Sequence, residues 1–496
     1  MARRSISVVA AGVAALFVGL VFSQTPIMGQ GGAPAAGAPQ GQGGGRGAAP
    51  AVVLPAMPTA VALPTMVKVT GPGAAFNSSP AQWPGFDMAH YNYVQNEYFV
   101  SGTANGMPYT TRVVVRQPSD NARYSGLIVA EPMHPIGAAH GFEYNSIYIM
   151  SSGHIAVEIA TNGAAQFAMF NADRYSKISV LAGQNNEILA QVGALVKSAN
   201  GPVAGLTTRK MILWGTSASS GILNAYLPAH MVYRQPNMQH VYDGFMPTSN
   251  GGNINLVDVP VIQVPTQHEF ATGATTRFDS DAPGQQFRVY QFPGMGHLDA
   301  RVNGHGARFN VDSCEKTPTM YPNEAYFSVA LNYLLQWVDK GVSPPSADRV
   351  YMDFNYKDDG SLMDLDENGN ARGGIRTPYV DLATVKYTER NWAKGGMAPV
   401  PAWLAPAGGG RQGGGAAPAA GRQGGGGGAA AFPTQQLCNL SAWETPSAQA
   451  RLRQMYQNKA TYVRRFEARL TELEKAGWSL PVYHDLIMAD ARGVNF

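Results

Sequence analysis

Short apolar, β-branched runs alternate with stretches of helical periodicity along most of the chain, and few folds accommodate that alternation. The strand-like runs show no clear in–out alternation, which is typical of strands buried on both faces of a sheet. They are GLIVAEP (126–132), HIAVEIA (154–160), KMILWG (210–215), VYDGFM (241–246), VPVIQVPT (259–266) and FRVYQFPG (287–294). Apolar residues at helical spacing recur in 188–196 and 326–337. This order predicts an α/β fold, with a mostly parallel central sheet and helices on both faces.

Further elements flank this region at both ends. Residues 95–101 and 109–116 predict an opening antiparallel pair around the turn GTANG. Near the C-terminus, Thr445-Pro446 predicts a helix start, apolar residues at helical spacing fill 452–473, and Gly477 predicts the helix end. We expect this amphipathic helix to dock onto the preceding domain, with pairing to another subunit as the alternative.

Two low-complexity segments divide the chain. Residues 29–47 contain nine glycines and residues 408–428 contain twelve, among Ala, Pro and Gln. Such segments bury too little apolar area to offset the entropy lost on ordering, so both are predicted to be flexible linkers. We therefore predict a linker over 25–64, a folded domain over 65–406, a second linker over 407–431 and a C-terminal helical segment over 432–496.

The N-terminus has the layout of a secretory signal peptide. A basic start (MARRS) precedes an apolar stretch at 6–22 and a small, polar exit (SQTP). We predict a signal peptide over 1–24, cleavage near residues 23–25, and a periplasmic or secreted protein. The alternative is an uncleaved membrane anchor, because the apolar stretch is only slightly shorter than a membrane span requires.

The charge of the chain restricts its partners. The formal net charge is only +3, and the Lys and Arg residues are scattered rather than clustered, so we expect no nucleic-acid partner.

Export would permit a disulfide between the two cysteines, Cys314 and Cys438. Two unrelated buried thiols are the alternative. No Cys/His spacing typical of a zinc site is present, and no metal or cofactor is predicted.

Three serines crowd the connection after the strand-like run at 210–215. A nucleophile elbow has the signature G-x-S-x-G, placed where a strand turns sharply into a helix. Gly215-Thr216-Ser217-Ala218-Ser219 matches it except at the second glycine, and the strand ending at Gly215 singles out Ser217. Ser219 and Ser220 are then expected in the first helical turn as small packing residues. The alternative is a small-residue loop without chemistry.

An acid and a histidine follow Ser217 in the order that such folds require. Glu269 comes shortly after one strand-like run and His297 after the next. Asp258 and Asp243 are placed poorly relative to their runs. We favour Glu269 over the remaining acids, which include Asp279 and Asp281. We expect the adjacent His268 to be a surface residue, with a hydrogen-bond donor in the pocket as the alternative.

These residue types suit acyl transfer. A serine hydroxyl becomes nucleophilic when a neutral imidazole accepts its proton, and a carboxylate orients that imidazole. Backbone N–H groups must then stabilise the tetrahedral oxyanion. We expect one donor from Ala218, directly after the nucleophile, and a second from the loop after 126–132, at Met133 or the next residue.

Several segments resemble the α/β-hydrolase superfamily and, within it, a bacterial "alpha/beta hydrolase domain" family of exported proteins. The matching segments are NEYFVSGTA, GLIVAEP, GTSASSG, VPVIQVPTQHE, FPGMGHLD, YLLQWVDKGVSPP and DENGNARGGIRTPYVD. They run from about Asn96 to the C-terminal helices. Where the family's acidic stretch often reads T-E-x-D, this chain has Thr266-Gln267-His268-Glu269. The resemblance implies an α/β-hydrolase fold and ester hydrolysis, without indicating a substrate.

The stretch DLDENGNARGGI (364–375) begins like a calcium-binding loop. Its twelfth position is Ile375, where a bidentate glutamate belongs. We therefore expect a tight, glycine-rich turn rather than a calcium site.

Together these features predict an exported serine carboxylic ester hydrolase with a Ser217–His297–Glu269 triad, an acyl-enzyme and no cofactor. Its expected partner is a small-molecule ester, with no stable membrane span after cleavage; the oligomeric state and the substrate stay open. Lactone or amide hydrolysis by the same triad is one alternative. A non-catalytic binding protein on the same fold is another, against which the ordered triad argues.

Overall fold

A nine-stranded sheet forms the centre of the computed structural model, with strand order β11-β10-β9-β7-β5-β6-β4-β3-β2. The structure describes residues 54–80, 83, 85–162, 164–269, 275–301, 313–353, 362–394 and 438–496. The strands are β1 (Thr59–Ala60), β2 (Thr65–Lys68), β3 (Tyr93–Ala104), β4 (Met107–Pro118), β5 (Leu127–Pro132), β6 (Ile155–Ile159), β7 (Lys210–Thr216), β8 (Tyr233–Arg234), β9 (Gly244–Thr248), β10 (Val261–Gln263), β11 (Phe287–Val289), β12 (Val385–Thr388) and β13 (Trp443–Pro446).

The sheet is parallel from β11 to β6 and antiparallel from β6 through β4 and β3 to β2. The expected opening pair is present as β3 and β4, which pair along their full length. Parallel strands direct their carboxyl ends to one edge of the sheet, so the loops after β5, β7, β10 and β11 all leave from that edge. Two small sheets pair β1 with β8 and β12 with β13.

Helices cover both faces of the sheet. They are α1 (His140–Glu143), α2 (Ser146–Ser151), α3 (Ala164–Phe170), α4 (Ala172–Tyr175), α5 (Asn185–Val196), α6 (Ala218–His230), α7 (Asn323–Lys340), α8 (Pro378–Asp381), α9 (Gln449–Tyr456), α10 (Lys459–Lys475) and α11 (His484–Gly493). α5 and α6 pack on one face through residues such as Leu189 and Leu223. α2 and α7 pack on the other, where Ile149 and Trp337 are buried. The predicted α/β architecture is confirmed.

Burial on both faces explains why the strand-like runs lack alternation. Every residue of β7 from Met211 to Thr216 is buried, as are all residues of β5 and β6. Apolar runs do not report strand boundaries, and one predicted strand is shifted. The run at 241–246 begins too early, because β9 starts only at Gly244. The carboxylate of Asp243 instead accepts the N–H of Met211 and pairs with Lys197.

The C-terminal segment differs from the single helix predicted from Thr445. That residue lies in β13, and the helical region is divided between α9 and α10. Gln457 has a positive φ of 64°, which ends α9, and the Asn458 side chain then accepts the N–H of Thr461 to cap α10. Apolar residues of α10, including Phe466, belong to the same buried cluster as Trp337 of α7.

A disulfide joins Cys314 to Cys438, across 124 residues of sequence. The alternative of two unrelated thiols is therefore wrong. The bridge attaches the C-terminal segment to the loop that precedes α7.

The predicted signal peptide and the glycine-rich segment 407–431 lie outside the described residues, as does the linker 25–64 up to residue 53. Within that linker, Thr59–Ala60 forms β1 and pairs with β8, so strand pairing begins before residue 65. Within the described ranges, no helix combines the length and the apolar character needed to span a bilayer.

Candidate active site

Ser217 occupies a sharp turn between β7 and α6. Its backbone has φ 54° and ψ −122°, in the left-handed half of conformational space that non-glycine residues rarely adopt. The turn is held by the Ser217 N–H, which donates to the carbonyl of Thr248, and by the N–H of Gly221, which donates to the carbonyl of Ser217. Strained backbone of this kind persists where the surrounding structure enforces it, and it clusters at functional sites.

The residues around Ser217 show which small side chains the turn requires. A Cβ at Gly215 would lie 2.5 Å from the carbonyl oxygen of Ser219, so only glycine fits there. The Ser219 hydroxyl donates to the carbonyl of Thr216 and accepts its N–H, which locks the turn. Ser219 and Ser220 lie buried in the first turn of α6, as expected. Ser219 thus occupies the position of the missing second glycine without a clash.

His297 and Glu269 reach Ser217 from the two neighbouring loops. His297 Nε2 lies 2.8 Å from Ser217 Oγ, and His297 Nδ1 lies 2.5 Å from Glu269 Oε1. Glu269 follows β10 and His297 follows β11, both at the carboxyl edge of the sheet where Ser217 follows β7. The three side chains therefore form a continuous hydrogen-bonded chain in which a proton can pass from the hydroxyl to the imidazole.

The environment of Glu269 favours its ionised form. Burial acts to raise the pKa of this carboxyl, but the charge and hydrogen bond of His297 outweigh it. His268 and the Thr266 hydroxyl act in the same direction, and the net pKa lies below its usual range. The second carboxylate oxygen accepts both the N–H and the hydroxyl of Thr266, at 2.7 and 2.6 Å. These bonds fix the carboxylate while it orients the imidazole.

The other acids considered as partners of His297 are engaged elsewhere. Asp279 pairs with Arg349, Asp281 with Arg288, and Asp243 with Lys197. Asp258 lies between His230 and His240.

His268 is partly buried against the site, and the expectation that it is a surface residue is wrong. Its ring lies edge-on to His297, with ring centres 5.5 Å apart. Burial, followed by the charge of His297, lowers the pKa of His268 to about 4, so the ring stays neutral near pH 7. Its position next to Glu269 in the sequence was the only available signal.

The two predicted oxyanion donors differ in their surroundings. Ala218 opens α6, where the first backbone N–H groups have no intrahelical acceptor. The N–H of Met133, in contrast, donates to the carbonyl of Ile159 at 2.8 Å and extends the pairing of β5 with β6. The next N–H, from His134, donates to the carbonyl of Ala138. The structure therefore does not support Met133 as the second donor.

The stretch resembling a calcium loop forms a turn whose acidic side chain is already engaged. One oxygen of Asp366 accepts the N–H groups of Asn368 and Asn370, and the other pairs with Arg376 at 2.8 Å. Gly369 supplies the positive φ of 79° that the turn requires.

One group in the described part of the chain has the side chains to hold a metal: His230, His240 and Asp258. Each imidazole Nε2 lies 3.0 Å from a different oxygen of the carboxylate, and Arg234 lies 3.7 Å from it. A cation would have to displace these hydrogen bonds next to an existing positive charge. The three residues lie at the C-terminal end of α6 and ahead of β9 and β10, at the edge of the sheet opposite Ser217.

Comparison with known proteins identifies an α/β-hydrolase domain, in agreement with the fold described above. The profile of the "alpha/beta hydrolase domain" family matches residues 61–403 and 405–489. The comparison with curated proteins found no match.

Similar solved structures include three esterases, all at low identity. A cold-adapted esterase from an Arctic intertidal metagenomic library, solved with bound zinc, is 14% identical over 42% of this chain and 89% of its own, with a TM-score of 0.25. Esterase Est22 is 11% identical over 36% of this chain and 66% of its own (TM-score 0.25). A thermostable carboxyl esterase from Bacillus coagulans is 11% identical over 32% of this chain and 45% of its own (TM-score 0.23).

Similarity at this level carries no information about substrate. The family profile, in contrast, covers most of the chain. The chain belongs to the alpha/beta hydrolase domain family, and it is an α/β hydrolase.

Proposed function

We propose that this α/β hydrolase is a serine carboxylic ester hydrolase, with Ser217 as nucleophile, His297 as general base and acid, and Glu269 as the carboxylate that orients the imidazole. The observation that carries the proposal is the hydrogen-bonded chain from Ser217 Oγ through both nitrogens of His297 to Glu269 Oε1, at 2.8 and 2.5 Å. Nucleophile, base and orienting group are thus within hydrogen-bonding distance in the order that acyl transfer requires.

In the proposed reaction, Ser217 Oγ bonds to the ester carbonyl carbon while its proton passes to His297 Nε2. The carbonyl electron pair moves onto oxygen, and the N–H of Ala218 donates to that oxyanion. When that electron pair re-forms the carbonyl bond, the bond from the acyl carbon to the alcohol oxygen breaks, and His297 Nε2 protonates the leaving group. Water then attacks the acyl carbon while His297 Nε2 accepts its proton. When the second intermediate collapses, the bond to Ser217 Oγ breaks, His297 Nε2 returns the proton to that oxygen, and the acid is released.

A non-catalytic binding protein on the same fold is less consistent with the local geometry. Binding alone gives no reason to hold Ser217 at φ 54° with its hydroxyl against His297. Lactones and amides are the alternative substrates of the same triad, because they carry the same acyl carbon.

The assignment is tested by labelling the full chain with a serine-directed fluorophosphonate and mapping the modified peptide. We expect one adduct in the peptide 211–227, on Ser217, and none in Ser217→Ala. Ser220→Ala is the matched control, because the Ser220 hydroxyl is buried and makes no hydrogen bond in the described structure. An adduct that persists in Ser217→Ala, or no adduct on the native enzyme, would overturn the proposal.

The ester subclass is tested separately with matched p-nitrophenyl esters, lactones and anilides of equal acyl length. We expect kcat/KM to be highest for the esters, since their leaving groups need the least protonation. A preference for lactones or anilides would replace the ester assignment while leaving the triad intact.

We also propose that the protein is exported. The Cys314–Cys438 disulfide supports this location, because such bonds persist in oxidising compartments and are rare in the cytosol. Fractionation of cells producing the full chain, compared with a variant lacking residues 1–24, tests it. Recovery of both forms with reduced cysteines from the cytosol would contradict export.

A further inference from the structure

The loop that carries His297 is contacted on both sides of this residue by a short piece of the C-terminal segment. We call residues 438–443 the brace. The N–H of Leu298 donates to the carbonyl of Leu440 at 3.0 Å, and Leu298 forms a parallel bridge with Ser441. On the other side of His297, Gly296 packs so closely on Ala442 that an added Cβ would collide with the Ala442 methyl group.

The brace is held in turn by the loop that begins at Cys314. The N–H of Thr319 donates to the carbonyl of Ala442, and the N–H of Ala300 donates to the carbonyl of Thr319, both at 2.8 Å. Cys438 opens the brace and is bonded to Cys314. The brace therefore lies between the His297 loop and the 314–321 loop, and the disulfide fixes its first residue.

These contacts act on the residue whose position matters most for the chemistry. Because Gly296 and Leu298 both contact the brace, a displacement of the brace moves the backbone on either side of His297. Because β7 and α6 position Ser217 independently of the brace, such a movement would change the distance between His297 Nε2 and Ser217 Oγ, which is 2.8 Å here. A displacement of about 1 Å in a reacting group costs roughly 10²-fold in rate.

We propose that the brace and the Cys314–Cys438 disulfide are positioning elements for His297, so that the proposed esterase reaches full turnover only with the bridge oxidised and Ala442 seated on Gly296. This inference rests on the proposed function of Ser217, His297 and Glu269. It makes residues far along the chain part of the active-site architecture through their contacts with the loop that carries His297.

The first test changes the contact on Gly296. Ala442→Val adds two methyl groups where a Cβ already touches Gly296, and Ala491→Val adds the same volume at another buried alanine, in α11. We expect Ala442→Val to lower kcat at least tenfold with KM changed less than threefold, and Ala491→Val to keep kcat within twofold. Urea midpoints of the two variants should be similar. Equal losses of kcat in both variants, or an unchanged kcat in Ala442→Val, would overturn the proposal.

The second test reduces the native enzyme with dithiothreitol, well below its unfolding temperature. We expect kcat and the rate of fluorophosphonate labelling to fall at least tenfold while the near-ultraviolet circular dichroism stays native-like. The double variant Cys314→Ser/Cys438→Ser should behave like the reduced enzyme and should not respond to dithiothreitol. Full activity after reduction would overturn the positioning role of the brace. A loss of activity equal to the fraction of unfolded protein would overturn it as well.

A third measurement does not depend on activity. Reduction should accelerate amide hydrogen exchange at Leu298 and Thr319, whose N–H groups donate to the brace, and leave β5 and β7 unchanged. Unchanged exchange at both amides would overturn the positioning role. If the oxidised native enzyme fails to label at Ser217, the proposed function fails, whereas the exchange data still decide whether the brace holds the His297 loop.

Discussion

Gly215 shows how far a single atom controls the turn at Ser217. A Cβ there would meet the Ser219 carbonyl oxygen at 2.5 Å, a contact that backbone atoms cannot relieve cheaply. We expect Gly215→Ala to lower the free energy of unfolding by about 2 kcal/mol or more, in the range of overpacking and backbone strain. Fluorophosphonate labelling of Ser217 should slow at the same time. Urea unfolding and labelling kinetics measure both effects.

Gly221 provides the matched control for Gly215. A Cβ built at Gly221 meets no atom within 4 Å in the described structure, and the residue lies inside α6. Gly221→Ala should therefore leave labelling unchanged and stabilise the protein by up to about 1 kcal/mol, the helix propensity gained. Equal effects of the two substitutions would show that Gly215 is not constrained by its contact with Ser219.

At the scale of an element, the division between α9 and α10 depends on two residues. Asn458 caps α10 by accepting the N–H of Thr461 at 2.9 Å. Asn458→Ala should cost about 1 kcal/mol of unfolding free energy. Gln457→Gly should act in the opposite direction, because glycine adopts the positive φ of 64° without strain. Chemical denaturation checks both signs. A continuous helix would instead be destabilised by Gln457→Gly and would not respond to loss of a cap.

At the scale of the whole molecule, two buried carboxyl groups make the free energy of unfolding fall as the pH rises. Burial, followed by the charge of Glu158, raises the pKa of Glu131 to about 8. Burial also raises the pKa of Glu324 to about 7. Between the usual glutamate pKa and these values, the folded chain retains protons that the unfolded chain releases. Raising the pH therefore favours unfolding, and this effect is complete once the pH passes about 8.

Two histidines have the opposite effect and make the free energy of unfolding fall as the pH drops. Burial lowers the pKa of His154 to about 4 and likewise that of His268 to about 4, so below pH 6.5 the unfolded chain binds protons that the folded chain does not. The opposing effects of the carboxyl groups and the histidines balance near pH 5.5, so stability should be highest there and fall by about 2 kcal/mol between pH 6.5 and 8.5. Urea unfolding across this range measures the fall. Glu131→Gln, which cannot titrate, should show a smaller fall; an equal fall would remove Glu131 as the cause.

Much of the architecture and of the candidate site could be predicted from local sequence. Apolar runs such as 210–215 are read directly as buried strands, because burial on both faces leaves a continuous apolar signature. Ser217, Glu269 and His297 could be selected because each follows such a run, and parallel strands direct their carboxyl ends to one edge. Strand ends were less predictable. β9 begins at Gly244 because Asp243 is engaged with a neighbouring strand, a contact that its own segment does not encode.

The sequence by itself thus determined the α/β order of elements, the family, and the three residues of the hydrogen-bonded chain, because each depends on local periodicity, turn chemistry and chain order. Only the tertiary structure decided that Cys314 and Cys438 form a disulfide, that His268 lies against His297, that the Met133 N–H belongs to the sheet, and that residues 438–443 flank the His297 loop. Each of these is a contact between segments far apart in sequence. Their pairing depends on how the helices and loops pack around the sheet, and no local pattern records it.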